Sequence, residues 1–252
     1  MRHQDKAVVG ASPVQSVKPR NSTIKALRRA YDLMHGRFGH QDWWPGDTPF
    51  EVCVGAILTQ NTNWTNVERA IANLRAARVL EPNAMFALPE EKLADLIRPA
   101  GYFNVKARRL RSFLKVLVEE FGADMDRLFR GETPDVRVRL LAVKGIGPET
   151  ADSMLLYAGS HQSFVIDAYT HRIFHRHRWC DTRAGYHDLK DLCESALDHQ
   201  AVPRRLDYWQ DYHAQLVMIG KHFCRPREPD CGQCPLRVLL PKKKKKRNGV
   251  VE

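Results

Sequence analysis

The 252-residue sequence lacks the long apolar runs that would place it in a membrane or direct it to secretion. No stretch of 18 apolar residues occurs, so we expect no membrane-spanning helix. The first 22 residues contain no continuous apolar segment of the kind found in secretory signal peptides, and we expect no such signal. These absences favour a cytoplasmic protein with no membrane partner.

Acidic residues are scarce relative to basic ones. Lys and Arg together number 40 and Asp and Glu 29, which gives a formal net charge of +11. A surplus of this size is as compatible with a polyanionic partner, such as a nucleic acid, as with an ordinary basic protein. The charge balance says nothing about the fold.

The sequence also has few features that predict β-structure. We find no series of alternating polar and apolar residues and no hairpin-type turn between two such segments. Apolar residues instead recur at helical spacing, so the predicted fold class is all-α. Pro82, Pro89 and Pro134 are interpreted as breaks between helices. The predicted helices cover about 24–38, 50–59, 64–79, 90–98, 104–121, 136–142, 148–159, 186–199 and 205–221, with another that begins at Ala168 after Asp167 as its N-cap.

The two ends of the chain carry no helical pattern. Residues 1–20 are polar, contain two prolines and show no periodicity, which predicts a disordered arm. Residues 242–252 begin with a run of lysines and read as a solvated basic tail, which adds sequence-independent attraction to phosphates.

Cysteine is too sparse for a disulfide scaffold, with six residues in the whole chain. Three of the six lie close together near the end, at Cys224, Cys231 and Cys234. This clustering indicates a metal site.

The segment "LLAVKGIGPETADSMLLYA", residues 140–158, predicts a helix, a Gly-x-Gly turn and a second helix. Glycine permits positive φ and lets another backbone approach closely. The unpaired N–H groups at the start of the second helix favour an anion such as a DNA phosphate. The candidate phosphate-binding residues are Lys144, Gly145, Ile146 and Gly147.

This segment and the following "VIDAYTHRIF" resemble the helix-hairpin-helix, the Gly/Pro-rich loop and the aspartate of the DNA glycosylase superfamily, in its endonuclease III branch. The resemblance extends from about Trp43 to Cys234. It implies a monomer of two helical domains that acts on double-stranded DNA with a damaged base, associated with the nucleoid. One domain, with six helices and the hairpin, would cover 46–160, and the other 21–45 plus 161–241, with the cysteine loop.

The resemblance also implies roles for two acidic residues. Asp167 matches the family's aspartate, which stabilises positive charge on the sugar as the base leaves. Members that also nick the strand use a lysine, which forms a Schiff base with the sugar. That lysine would occupy position 149, where this chain has Glu149. A carboxylate cannot form an imine, so we predict a monofunctional glycosylase.

Two further segments match parts of the family that handle the flipped base. Gln60, with help from Asn61, matches the residue inserted into the duplex. "DWWPGDTPF" has two adjacent tryptophans, and an electron-rich aromatic wall suits a cationic base. The arrangement "WWP…LTQNT…RPAGYFNVKARRL…KGIGPETAD", with its glutamate at the lysine position, is similar to the 3-methyladenine glycosylase subgroup. The candidate pocket residues are Trp43, Trp44, Pro45 and Phe50. A basic helix face that can touch phosphate is predicted from Lys106, Arg108, Arg109 and Arg111.

The family's cluster loop has four cysteines for a [4Fe–4S] centre. Here Cys224, Cys231 and Cys234 keep the spacing, but Leu240 occupies the fourth position. A cluster with another fourth ligand is favoured, because a decayed site would have little reason to keep three cysteines in register. A three-cysteine, one-histidine zinc site with His222 and a loop without metal stay open. Cys180, Cys193 and His222 are candidate fourth ligands, and nothing in their spacing favours one of them.

Two other functions stay open. The first is a bifunctional glycosylase/lyase acting on oxidised pyrimidines, against which Glu149 speaks. The second is a non-catalytic, damage-sensing DNA-binding protein, against which Asp167 and Gln60 speak.

Overall fold

The computed structural model describes residues 19–42 and 46–242, and this part of the chain is helical with no strand, which confirms the predicted all-α class. Residues 1–18 of the predicted arm, the pocket residues Trp43, Trp44 and Pro45, and the basic tail from residue 243 lie outside the described residues. None of the described helices combines the length and the apolar composition that a membrane span needs. The helices are α1 (Asn21–Phe38), α2 (Pro49–Leu58), α3 (Trp64–Ala76), α4 (Pro82–Ala87), α5 (Glu90–Leu96), α6 (Phe103–Glu119), α7 (Met125–Phe129), α8 (Thr133–Leu141), α9 (Pro148–Ser153), α10 (Ala168–His177), α11 (Tyr186–Ala196) and α12 (Val202–His222).

The described part of 46–160 contains eight helices, α2 to α9, rather than the predicted six. The additional helices α4 and α7 have six and five residues, too few for a helical period to be visible in the sequence. Proline was also misinterpreted, because Pro82 opens α4 and Pro134 lies in the first turn of α8. Proline is favoured there, since the first turn of a helix does not use its N–H groups.

The buried apolar side chains form two clusters. The first cluster is built from α2 to α9 and includes Ile57 and Phe113. The second is built from α1, α10, α11 and α12 and includes Phe174. The chain passes from one cluster to the other between Leu155 and Leu156, in a π-helical turn, Met154–Ala158, that continues α9. The second helix of the predicted hairpin therefore lies at the boundary of the two clusters. The predicted domain bounds stay a prediction.

A buried carboxylate joins the elements at this boundary. Asp152 in α9 accepts two hydrogen bonds from Arg137, at 2.8 and 3.0 Å, and others from the hydroxyls of Ser163 and Tyr186, at 2.6 and 2.7 Å. Lys190 lies 3.4 Å away. Burial alone would raise the pKa of Asp152, but these donors and cations hold it below its usual value. The network holds α9 to α8 through Arg137 and to α11 through Tyr186 and Lys190.

Candidate functional site

Asp167 lies at the N-terminus of α10, as predicted. Its Oδ1 accepts a hydrogen bond from the Thr170 N–H at 2.7 Å, so the N-cap role is confirmed. Its Oδ2 lies 3.7 Å from Nε2 of His213, and only 12% of the Asp167 side chain is exposed. Burial pushes the pKa of Asp167 up, yet His213 and the Thr170 N–H together hold it below the usual value. The side chain is therefore a carboxylate at neutral pH, with one oxygen fixed.

Glu149 is the second carboxyl at this site. It lies in the first turn of α9, and the residue is exposed while the surrounding protein partly desolvates its carboxyl group. That desolvation, with the nearby negative charge of Asp167, raises the pKa of Glu149 to about 7. The pKa values of the two carboxyls thus move in opposite directions. Asp167 stays ionised while Glu149 exchanges a proton near neutral pH.

A histidine and a tyrosine lie behind Asp167, and the sequence analysis missed both. His213 is in α12 and is buried, and its Nδ1 lies 2.6 Å from the Tyr157 hydroxyl oxygen. Tyr157 belongs to the π-helical turn that follows α9. The sequence offers one weak signal, which is that His213 precedes the apolar residues of the segment that forms α12. A polar side chain buried in such a helix requires a partner.

Of the two glycines in the hairpin turn, the backbone requires Gly145 to be glycine but would accept another residue at Gly147. Gly145 has φ +95°, and a Cβ there would overlap the side chain of Arg109. Gly147 has φ −96°, is exposed, and has no atom within 4 Å of the place its Cβ would take. Ile146 is buried, whereas Lys144 is exposed. The turn thus presents Lys144 and Gly147 on its surface, while phosphate binding at these residues stays a prediction.

Gln60 is attached to the hairpin. Its side-chain amide donates to the carbonyl of Gly145 at 3.1 Å and to the hydroxyl of Thr150 at 2.9 Å, and its Oε1 accepts from Arg109. Asn61, next to it, is exposed and has φ +55°. The loop after α2 and the hairpin therefore form one surface. Insertion of Gln60 and Asn61 into a duplex stays a prediction.

A basic groove adjoins this surface. It has a volume of about 700 Å³ and runs between α6 and the hairpin. Five cationic side chains and two acidic ones, Glu90 and Glu119, line it, so the groove has a surplus of positive charge that suits a phosphate backbone. The cationic residues are Arg108, Arg109, Arg111, Lys115 and Lys144.

Lys106 was wrongly placed on this basic face, because it is 1% exposed. Its ammonium group donates to the carbonyls of Leu58 and Ala100, both at 2.7 Å. These bonds offset the cost of burying the charge, although burial still lowers the pKa of Lys106 to about 8. The lysine joins the end of α2, before Gln60, to the turn before α6. Tyr102 in that turn is 72% exposed and has φ +46°, a conformation that costs energy in a residue of this size.

The comparison with known families matches residues 54–199 to the HhH-GPD superfamily of base excision DNA repair proteins. This range holds the hairpin, Gln60, Glu149 and Asp167. The chain belongs to the HhH-GPD superfamily. As a member of this family, it is a DNA glycosylase of base excision repair.

Two relatives agree with this membership. A candidate DNA repair glycosylase of Methanocaldococcus jannaschii is 42% identical over 220 residues, which cover 86% of this chain and 97% of the relative. Endonuclease III of Thermotoga maritima is 30% identical over 189 residues, which cover 75% of this chain and 81% of the relative.

Solved structures of the superfamily share the fold. The 3-methyladenine DNA glycosylase of Helicobacter pylori, bound to 1,N6-ethenoadenine, has a TM-score of 0.68 and 26% identity and covers 79% of this chain and 97% of its own. An endonuclease III in a non-covalent complex with DNA has a TM-score of 0.70 and 20% identity, covering 86% of this chain and 94% of its own. The second likeness supports the fold alone.

The cysteine loop of this HhH-GPD protein does not fit a four-thiolate cluster. Cys224, Cys231 and Cys234 line one cavity of about 20 Å³, room for about one water molecule, and Leu240 lines it as well. Within residues 19–42 and 46–242, no three His, Cys, Asp or Glu side chains are arranged to hold a metal ion. His177, which the sequence analysis missed, lines the same cavity, and Cys180, Cys193 and His222 do not.

Two arginines of α10 bond to this loop. Arg172 donates to the Cys224 carbonyl at 2.7 Å, and Arg176 donates to the carbonyls of Arg225 and Pro226 at 2.7 and 2.9 Å. Arg176 also lies 3.3 Å from the Cys224 sulfur. The loop therefore packs on α10 through protein–protein bonds.

The predicted base-pocket residues are only partly described. Phe50 is 4% exposed and belongs to the first apolar cluster. Trp43, Trp44 and Pro45 lie outside the described residues. The aromatic pocket of this HhH-GPD protein stays a prediction.

Proposed function

We propose that this protein is a monofunctional glycosylase, which hydrolyses the bond between deoxyribose and an alkylated purine such as 3-methyladenine. The observation that carries the proposal is the pair of carboxyls at the site. Glu149 stands where the resemblance expects a lysine, and burial together with the negative charge of Asp167 raises the pKa of Glu149 to about 7. Without an amine at that position, water is the nucleophile and the product is an abasic site.

The two carboxyls have complementary tasks in this proposal. Cleavage builds positive charge on the sugar, and the ionised Asp167 stabilises it electrostatically. Its fixed orientation on the Thr170 N–H means that little reorganisation accompanies the reaction. Glu149, with a pKa near neutrality, can accept a proton from the attacking water.

The surface around these residues is suited to duplex DNA. The hairpin carries Lys144 and Gly147 on its outside, and the adjoining groove adds a row of arginines and lysines. Gln60, held by the hairpin, is positioned to fill the space left by a flipped base. In this proposal a monomer binds the damaged duplex, in the cytoplasm at the nucleoid.

The substrate class rests on two supports. The H. pylori neighbour is a 3-methyladenine glycosylase bound to an alkylated-type adenine, 1,N6-ethenoadenine. The sequence places Trp43, Trp44 and Pro45 shortly before α2, and an aromatic wall attracts the positive charge of an alkylated purine. Such a base is already a good leaving group, so a strong acid is not needed at the base.

The role of Asp167 is tested by Asp167→Asn, which keeps the shape of the side chain and removes its charge. We expect release of methylated purines to fall by at least about a hundredfold, the order of one preorganised electrostatic contact. Binding to a duplex with an abasic site should stay within about threefold of the unchanged protein. Equal rates of base release in the two proteins would refute the assignment.

A bifunctional enzyme acting on oxidised pyrimidines is the second candidate, because an endonuclease III is among the relatives at 30% identity. Borohydride separates the two, since it traps the imine of a lyase on its DNA. We expect no trapped complex with an oxidised-pyrimidine duplex. A trapped complex would replace our proposal by this candidate.

A further inference from the structure

The buried pair formed by His213 and Tyr157 has no part in the function proposed so far. His213 has 6% of its side chain exposed and lies against Asp167 from α12. Its Nε2 is fully buried and has no hydrogen-bond partner, and the closest charged atom is Oδ2 of Asp167, at 3.7 Å. A buried polar atom without a partner costs free energy, so its presence calls for an explanation such as a functional role.

The partners of Tyr157 determine which ring nitrogen of His213 carries a proton. The tyrosine oxygen lies 2.6 Å from Nδ1 of His213 and 3.2 Å from the carbonyl of Gln210. When the hydroxyl donates to Nδ1, the proton of the neutral ring is on Nε2. When it donates to Gln210, Nδ1 must donate to the tyrosine, and a neutral ring would then turn a lone pair toward the Asp167 carboxylate. Only arrangements with a proton on Nε2 avoid two facing lone pairs.

We propose that His213 is a positioning residue for Asp167, whose Nε2–H holds Oδ2 in place and keeps the carboxylate ionised, while Tyr157 fixes the ring. This inference rests on the proposed role of Asp167. Oδ1 of the carboxylate accepts a hydrogen bond from the Thr170 N–H, and Oδ2 faces Nε2 of His213 at 3.7 Å, which is longer than a hydrogen bond. A carboxylate fixed in this way keeps its charge directed at the sugar.

Other groups around Asp167 favour its protonation. Glu149 faces it from α9 and adds negative charge once ionised, and Tyr157 and Tyr169 contribute no cation. Burial acts in the same direction. His213, together with the Thr170 N–H, therefore opposes the protonation of Asp167 when the pH falls.

The test is the pH dependence of single-turnover base release from methylated duplex DNA, between pH 4 and 9. Every protein compared carries Glu149→Gln, so that the titration of Glu149, whose pKa is raised to about 7, does not contribute to the acidic limb. In His213→Leu we expect the acidic limb of the rate profile to move up by about one pH unit, which is about tenfold in rate at the acidic end. The affinity for a duplex with an abasic site should be unchanged. His213→Gln, which keeps an N–H donor, should recover part of the shift.

Tyr212→Phe is the matched control. It removes a buried hydroxyl from the neighbouring position of α12, where it donates to the Leu27 carbonyl at 2.9 Å. This variant should lose stability but keep the pH profile. If His213→Leu does not fold, Tyr157→Phe keeps the imidazole and should give a smaller shift in the same direction.

The outcomes separate the two proposals. An unchanged profile in His213→Leu, or in Tyr157→Phe where that variant is used instead, overturns the role of His213. Full activity of Asp167→Asn, measured in parallel, overturns the proposed function itself. An inactive Asp167→Asn beside an unshifted His213 variant leaves the function standing and removes this inference alone.

Discussion

A methyl group added at Gly147 should weaken DNA binding without disturbing the fold. The residue is exposed, its φ of −96° suits any amino acid, and no atom lies within 4 Å of the new Cβ. Gly145 cannot serve this purpose, because its φ of +95° and the overlap with Arg109 would damage the turn itself. Gly147→Ala therefore probes the approach of a phosphate to the hairpin.

The magnitude follows from one lost contact. A hydrogen bond between a backbone N–H and a charged phosphate contributes about 1.5–3 kcal/mol, so its loss weakens binding by about tenfold to a hundredfold. The loss of one phosphate contact should also reduce the slope of log affinity against log salt concentration by about one. As the N-cap of α9, Gly147 loses at most about 1 kcal/mol of stability on replacement by alanine.

Gly185 provides a matched control. It is also an exposed N-cap glycine, with φ −88° in front of α11, and the nearest atom to its Cβ position is 3.8 Å away. Gly185→Ala should cost the same stability and leave DNA binding intact. The assay is fluorescence anisotropy with duplexes of unrelated sequence at several salt concentrations. Equal affinities of the two variants, or a loss confined to one DNA sequence, would refute phosphate binding by the hairpin.

Three other predictions concern stability. Lys106→Met leaves the carbonyls of Leu58 and Ala100 without their donor, at about 1–3 kcal/mol each, so denaturant unfolding should show a loss of about 2–6 kcal/mol. Glu149→Gln should raise the melting temperature at pH 8 and not at pH 4, because a carboxyl with its pKa raised to about 7 loses its contribution to stability as the pH rises through that value. Arg176→Met should lower the melting temperature of the protein, because the cysteine loop loses two bonds to α10. A metal chelator should leave the melting temperature of the unchanged protein as it is, and a fall would reveal a structural metal.

The sequence was sufficient for the elements with a long period or a clear cap. Apolar residues recur at helical spacing over the 17 residues of α6. Asp167, as an N-cap residue, indicates the start of α10. The short helix α4 could not be found, because six residues show no period and its proline resembled a break. Apolar periodicity thus predicts a helix only where the pattern extends over several helical turns.

The sequence could not predict pairings between distant residues. Lys106 shares a helix face with the buried Leu110, so its spacing indicated burial, but its charge favoured the surface. The carbonyls that satisfy it come from separate turns and meet only in the fold. For the same reason the contact of His213 with Asp167, between α12 and α10, was not visible in either segment.

The most direct test of the proposed function is one sample of methylated duplex DNA, analysed for freed bases by chromatography and for strand breaks with and without alkali. The account predicts freed 3-methyladenine and strand breaks that form only after alkali is added. Breaks without alkali would contradict it, because they would require a lyase in a protein that has Glu149 at the lysine position. The absence of any freed base, with tight binding to abasic DNA, would favour the non-catalytic, damage-sensing alternative.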